Sequence, residues 1–422
     1  MPSDAAALAG AGERSRRGRG GERGREMHVI AVVSAAHFVQ HFQTLVLPPL
    51  FPFLKTQLGI GFVELGFALT VSSVVAVASQ LPIGFLVDRV GSRRMLLCGL
   101  MVSALAFISF ALSPSYPRLL LAMAFVGLSS SVFHPADYAI LSALIPPARV
   151  GRAFSVHTFT GFIGTAAAPA VLLPVAASFG LRSAILTVSA VAIVAALPLL
   201  ASRGVDNRQA LAAGAPPPAE KKLGLTGILT PTIVFLTGFF ALLSLSGSGI
   251  SNFSVVALRG AFDTPLSTAS LALTAYLLMQ ALGVLAGGFI ADKTRRHGEV
   301  ASIGYAVNAC IVLAIGTLGL PAVPLLAAMG TAGLLGGLIM PSRDMLVRAA
   351  APPGAVGRTF GVVTSGFSMG GMVGPLLFGF IMDHHAPRWV FGASVVIMAT
   401  VAGVALVADR RTARKRALAA AE

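Results

Sequence analysis

Charge is scarce in this chain: 11% of its 422 residues are Asp, Glu, Lys or Arg, while 55% are hydrophobic. Aqueous domains carry roughly 25% charged residues, so no soluble core could absorb this much apolar surface. The composition is that of an integral membrane protein. Cysteine is nearly absent: Cys98 and Cys310 both fall in long apolar runs, share no metal or redox spacing and read as packing residues. A G-x-x-x-x-G-K-[ST] phosphate loop is missing, which removes ATP as an energy source. No hydrolytic constellation is visible, so the chain is not read as an enzyme, and no cofactor is implied.

Long apolar runs are plentiful. Twelve of them lie near 28–54, 61–87, 94–113, 117–145, 153–178, 182–202, 229–258, 266–291, 299–320, 323–350, 359–382 and 387–408. Each is long enough to cross a hydrocarbon core about 30 Å thick as a helix. Their frequent Gly and Pro fit this reading, because small residues let membrane helices approach closely and kinks are tolerated there.

Acidic residues are the scarcer charge, 16 against 31 basic ones, for a net charge of +15. In a soluble protein that excess would suggest nucleic acid, but its distribution follows the loops. One side holds Arg14 to Arg25, Arg89, Arg93, Arg94, Arg149, Arg152, Arg203, Arg208, Lys221, Lys222, Lys293, Arg295, Arg296, Arg348, Arg358 and the tail from Arg410; the other holds only Lys55, Arg118, Arg182, Arg259 and Arg388. This is the positive-inside bias, which places both termini and the central loop in the cytoplasm. Topology explains the charge, and no nucleic-acid partner is expected.

A second pattern is repetition. Pro135 recurs as Pro341, Pro146-Pro147 as Pro352-Pro353, Val150-Gly151-Arg152 as Val356-Gly357-Arg358, Phe154 as Phe360, Gly164 as Gly370 and Pro169 as Pro375, always 206 residues apart. Such an offset marks two equivalent halves joined head to tail, the parallel repeat of many membrane transporters. The expected fold is an all-α membrane protein: twelve transmembrane helices in two pseudo-symmetric six-helix bundles. Its divisions are a disordered basic leader (1–27), an N-terminal bundle (28–202), a linker containing Ala-Pro-Pro-Pro-Ala (203–228), a C-terminal bundle (229–408) and a basic tail (409–422).

Polar residues inside the runs are the candidate functional groups. Span 1 carries His37, Gln40, His41 and Gln43; at 1.5 Å per residue His37 sits roughly 15 Å deep, with His41 one turn away on the same face. These groups either bond to neighbouring helices or line a watery path. Span 4 carries His134, Asp137 and Tyr138, with His134 one turn from Asp137 and close enough to pair with it. A carboxylate in lipid is costly unless it is paired or protonated. Across the repeat, Asp137 corresponds to Arg343, which is followed by Asp344. An anion in one half therefore stands opposite a cation in the other, either as a structural tie or as a charge pair made and broken when the halves move. Span 5 adds His157 and Thr158, and span 7 has a polar middle with Asn252 and serines interrupted by Gly247 and Gly249, as a broken helix lining a path would. The glycines of spans 5 and 11 read as a packing face.

The loop between spans 2 and 3, Gly84-Phe85-Leu86-Val87-Asp88-Arg89-Val90-Gly91-Ser92-Arg93-Arg94, resembles the cytoplasmic signature of the major facilitator superfamily, and span 8 ends in a weaker copy, Gly288 to Arg296. The resemblance implies gating roles for Gly84, Asp88, Arg89, Gly91, Arg93 and Asp292, with Asp88 touching the opposing half to hold the cytoplasmic side shut. It also implies that spans 1, 4, 7 and 10 surround the central cavity. Phe133-His134-Pro135 and the His-bearing span 1 are similar to the fosmidomycin resistance group of bacterial exporters, and the Gly/Pro-rich span 11 loosely resembles the drug–proton antiporter signature. In this chain Ala136 separates His-Pro from the acid.

The function expected is a secondary transporter in the bacterial inner membrane that moves a small organic compound by alternating access, with proton-coupled efflux. Asp137, His134, His37 and His41 are the proton-coupling candidates. Arg343, Asp344, Asn252, Gln43, Tyr138 and His157 are the substrate-binding ones. The alternative is a divalent metal ion (Fe, Zn or Mn) transporter using His37, His41, His134, Asp137 and Asp344 as ligands. Expected partners are the substrate, protons and the bilayer, with the chain acting as a monomer.

Overall fold

A computed structural model describes residues 3–202, 204–206, 229–294, 296–352 and 356–419, with side chains described at 23–202, 204–206, 229–291, 293–294, 296–352 and 359–406. Most of the expected linker and the side chains of Asp292 and Arg358 thus lie outside the described residues.

Among the described residues ten helices are long and apolar enough to cross a membrane, and the bent pair Arg23–Thr44 and Leu47–Leu58, at 41°, forms another span. One of the ten, Pro147–Ala201, has 55 residues and would reach about 80 Å at helical rise. It is two spans: Gly180 at φ 83°, ψ 166° turns the chain between them, a conformation open to residues without a Cβ. Twelve spans result, as the apolar runs predict. Span 1 is Ser3–Thr44 with Leu47–Leu58; spans 2 to 4 are Phe62–Val90, Ser92–Leu112 and Tyr116–Leu144; spans 5 and 6 share Pro147–Ala201. Span 7 runs Pro231–Ser248, Gly249–Phe253 and Ser254–Phe262, and spans 8 to 12 are Leu266–Lys293, His297–Thr317, Ala322–Ala350, Val356–Asp383 and Arg388–Ala419.

The helix of span 1 is described from Ser3. Repeat-related prolines occupy equivalent places, Pro135 and Pro341 inside spans 4 and 10, Pro169 and Pro375 inside spans 5 and 11. Glycines bring helix backbones together within each half. A Cβ at Gly164 would strike the Phe38 carbonyl of span 1, and one at the equivalent Gly370 the Ala241 carbonyl of span 7. That is the packing role expected of these glycines.

The apolar cores show how the halves meet. At the end of the bundle carrying Leu50, Leu119, Leu258 and Leu325, one continuous core joins both halves. At the end where both termini lie, the core splits into two. One is confined to the N-terminal half around Val33, Leu100 and Ile140, the other to the C-terminal half around Ile233, Tyr305 and Ile339. Span 2 shows the same division along its length. Leu65, Gly66, Ala68, Leu69 and Thr70 are buried, Gly66 and Thr70 meeting Pro375 and Met372 of the other half, whereas beyond Thr70 only Val87 is buried. The halves are closed together at the far end and apart at the termini end.

Candidate functional site

The buried polar groups of the N-terminal half converge where spans 1, 4 and 5 cross. Gly161 makes the crossing possible: a Cβ there would lie 2.7–2.8 Å from ring atoms of His37 and His41, so only glycine leaves the imidazoles room against span 5. His37 stacks on His157 with ring centroids 3.8 Å apart, and both reach Asp137. His37 Nδ1 is 3.2 Å and His157 Nε2 3.5 Å from the same oxygen, Oδ2. All three are sealed, with 2%, 0% and 0% of their surface exposed. The contacts lack hydrogen-bond alignment, and both Asp137 oxygens, His37 Nδ1 and both His157 nitrogens have no hydrogen-bond partner. A set of buried polar atoms left in this way is expensive unless something satisfies it.

An outer layer covers this core. His41 lies edge-on to His37 at 4.6 Å, with its Nδ1 3.1 Å from Thr165 Oγ1. His134 is exposed, 5.3 Å from His37 between ring centroids, and Tyr138, also exposed, stacks beside it at 6.0 Å and packs edge-on to Phe154 at 5.0 Å. Gln40 donates to Ser130 at 2.8 Å.

In the C-terminal half the guanidinium of Arg343 is held by three neighbours. Asp344 Oδ1 accepts from its Nε at 3.0 Å and lies 2.9 Å from Nη2, while the rings of Phe240 and Phe367 each flank it at 4.8 Å. Two aromatic faces on a desolvated cation add roughly 0.5–2 kcal/mol each. Arg343 is 7% exposed, whereas the side chain of Asp344 is 45% exposed.

Several expectations are corrected by this geometry. Asp137 pairs with His37 and His157; no His134–Asp137 pair forms among the described residues, His134 being exposed where Asp137 is sealed. No Asp137–Arg343 ion pair forms among the described residues, since each has its own partners inside its own half. The ligand set expected for a metal is also divided: Asp344 belongs to Arg343, and His41 to Thr165. Gln43 is not a cavity residue; it is 3% exposed and donates to Ser103 at 2.9 Å, tying span 1 to span 3. Asn252 donates to Ser248 at 3.0 Å. It sits in a π-helical turn, Gly249–Phe253, which interrupts span 7 as its glycines suggested; such turns recur at functional positions.

Asp88 is exposed with no ion pair among the described residues, Arg89 is exposed, and a Cβ on Gly84 would meet nothing within 4 Å. The close helix contact expected of Gly84 is absent because the halves are apart at this end. Gly91 does serve the turn, at φ 98°. Arg93 serves structure within its half: Nε and Nη2 donate to the Leu199 and Leu200 carbonyls at 2.7 and 2.8 Å, capping span 6. Asp292 lies on span 8, its side chain outside the described residues. Phe240, Phe367 and Thr165 escaped the sequence reading, since no spacing distinguishes an aromatic that covers a cation from one that fills a core.

Two six-helix halves related by a repeat, joined at one end and parted at the other, with ionisable clusters buried between the spans, define a membrane transporter. The chain belongs to the Major Facilitator Superfamily, whose sequence profile matches residues 33–251 and 234–422. It is 25% identical over 362 residues to the MFS-type transporter YfnC of Bacillus subtilis (strain 168), covering 84% of this chain and 86% of the relative. It is 24% identical over 374 residues to the fosmidomycin resistance protein of Escherichia coli (strain K12), covering 86% and 88%. Its fold is similar to that of a bacterial homolog of the human lysosomal transporter Spinster in an inward-facing, unoccupied conformation, with a TM-score of 0.76 at 16% identity over 91% of this chain and 97% of that one.

Proposed function

We propose that this transporter exports a small organic compound bearing an anionic group from the bacterial cytoplasm, driven by protons moving inward. The observation that carries the reading is the sealed Asp137 cluster. A carboxyl group buried with two imidazoles and no cation is satisfied by taking a proton, and three facing bases can pass one among them. Arg343, in the other half, supplies the complementary site. Its planar guanidinium offers charge, and Phe240 and Phe367 offer flat apolar walls; an anionic substrate group competes with the half-exposed Asp344 for it. The Lys/Arg distribution supports a cytoplasmic location for the termini and residues 203–228, which makes the parted end the cytoplasmic one, and the membrane is taken to be the bacterial inner membrane. Here the chain faces inward, ready to load cargo. Outward movement is supported by the resistance named for the Escherichia coli relative. The proteins work as monomers, each with a complete pathway between its own halves.

The test is purified protein in liposomes with an imposed pH gradient, assayed against a panel of organic anions and divalent metal ions. Accumulation of an organic anion opposite to the proton flow supports the proposal. Uptake of a metal ion alone would replace it with the metal-transport reading.

A further inference from the structure

We propose that His37, Asp137 and His157 bind a single divalent transition-metal ion, and that the bound ion shuts the transporter down. Three observations meet at this point. The three ligand atoms lie within 4.8 Å of one another, and all three residues are buried. Two of the three separations, 3.2 Å from Asp137 Oδ2 to His37 Nδ1 and 3.5 Å to His157 Nε2, bracket the edge of about 3.3–3.4 Å that a tetrahedron with ~2.05 Å bonds requires. The third pair of atoms, His37 Nδ1 and His157 Nε2, lies within 4.8 Å and reaches that edge when the two rings, stacked here at 3.8 Å, swing apart to the ~5 Å between centroids that two imidazoles on one tetrahedral ion need. Finally, the atoms that would coordinate are those without a hydrogen-bond partner: both Asp137 oxygens, His37 Nδ1 and His157 Nε2. The helices thus hold two imidazoles and one carboxylate in place with nothing yet satisfying them.

The donor set selects the class of ion. Two nitrogens and one oxygen suit Zn2+, Co2+, Ni2+ or Mn2+, whereas Mg2+ and Ca2+ call for oxygen cages. Gly161 contributes by letting His37 sit flat against span 5.

The arrangement is that of an inhibitory site and not a cargo site. All three ligands come from spans 1, 4 and 5 of one half and are sealed at 3% side-chain exposure or less. Rocking of the halves would carry such an ion along without releasing it, since alternating access works on sites at the interface between repeats. A bound ion would occupy the same Asp137 oxygen that the proposed coupling uses. The inhibitory limb rests on Asp137 carrying the coupling proton; the binding limb does not.

The experiment titrates the full-length, tag-free protein in detergent with Co2+, reading its visible d–d absorption, and then displaces Co2+ with Zn2+. One saturable site per chain is expected, with His37→Ala, His157→Ala and Asp137→Asn each weakening it at least about 10-fold while their thermal unfolding without metal stays near wild type. His384→Ala and His385→Ala, at the far end, leave it intact. Absence of a saturable Co2+ signal in wild type, or a signal that survives His157→Ala, overturns the site. A variant that fails to fold is replaced by His157→Gln, which fills the volume without an imidazole. In liposomes, Zn2+ is expected to stop pH-driven transport and a chelator to restore it. Accumulation of Zn2+ inside the vesicles would overturn the inhibitory role. Metal binding without coupled transport would confirm the site and sink only the proton assignment.

Discussion

Gly161 decides where the imidazoles of span 1 can lie. A methyl group there would overlap both His37 and His41, and such overpacking costs about 1–3 kcal/mol. Replacing Gly by Ala in a helix returns about 1 kcal/mol, so Gly161→Ala is expected to change stability little while displacing the rings from Asp137. Proton-driven transport should fall by an order of magnitude or more with thermal unfolding nearly unchanged; normal transport in that variant would detach the ring geometry from function. Arg343 makes the complementary case. Arg343→Lys keeps the charge but loses the planar face that Phe240 and Phe367 flank, so it should bind an anionic substrate nearly as poorly as Arg343→Ala in equilibrium binding. Full rescue by Lys would show that charge alone matters. The repeat alignment identified Asp137 and Arg343 as opposed in sign but assigned them to each other, because an offset of 206 reports equivalence between halves and says nothing about which neighbour a side chain reaches. His157 was legible as a polar residue in span 5. Its partnership with Asp137 depends on the span 1 to span 5 approach that Gly161 and Gly164 allow.

At the scale of the helix, the far end is held by a device that spans the two halves. Asp383, last residue of span 11, accepts from the Phe62 and Val63 N–H groups at 2.8 Å each. It thereby caps the first turn of span 2, with Lys55 3.6 Å away. An N-terminal cap of this kind contributes typically ~1 kcal/mol, while a half-exposed Lys–Asp pair contributes less, so the cap dominates. Thr70 adds a hydrogen bond to the Met372 carbonyl at 2.7 Å, and Ser270 one to the Pro169 carbonyl at 3.3 Å on the opposite side of the interface. Asp383→Ala should loosen this end: a cysteine placed nearby at Gly66 or Gly379 would be uninformative because both are packed, but one at Asn252 should label faster from the far side. An unchanged rate would assign the closure to the apolar core alone. Asp88, by contrast, has no such partner here, so Asp88→Asn should leave this state untouched and weaken the opposite one, raising labelling of cavity cysteines from the cytoplasmic side. Asp88 was legible from a motif. Asp383 was not, since position 177 in the first half is Ala177, and a reading built on repeats overlooks what occurs once.

For the whole molecule, hydropathy and the repeat were enough to give twelve spans and two bundles, because both are set by residue type and order. Which end is open was not legible, because it depends on how the two bundles meet: one core joins them at the far end and two separate cores stand at the other. The orientation drawn from Lys and Arg is checked by labelling intact cells, where a cysteine near Arg182 or at His385 should react from outside and one at Ala213 should not. Reaction at Ala213 alone would invert the topology and with it the direction of transport. The central claim is that Asp137 carries the coupling proton, and Asp137→Asn in proteoliposomes tests it most directly, with pH-driven transport and substrate exchange measured side by side on the same preparation. The account predicts loss of pH-driven transport with exchange retained; wild-type pH-driven transport in Asp137→Asn would contradict it.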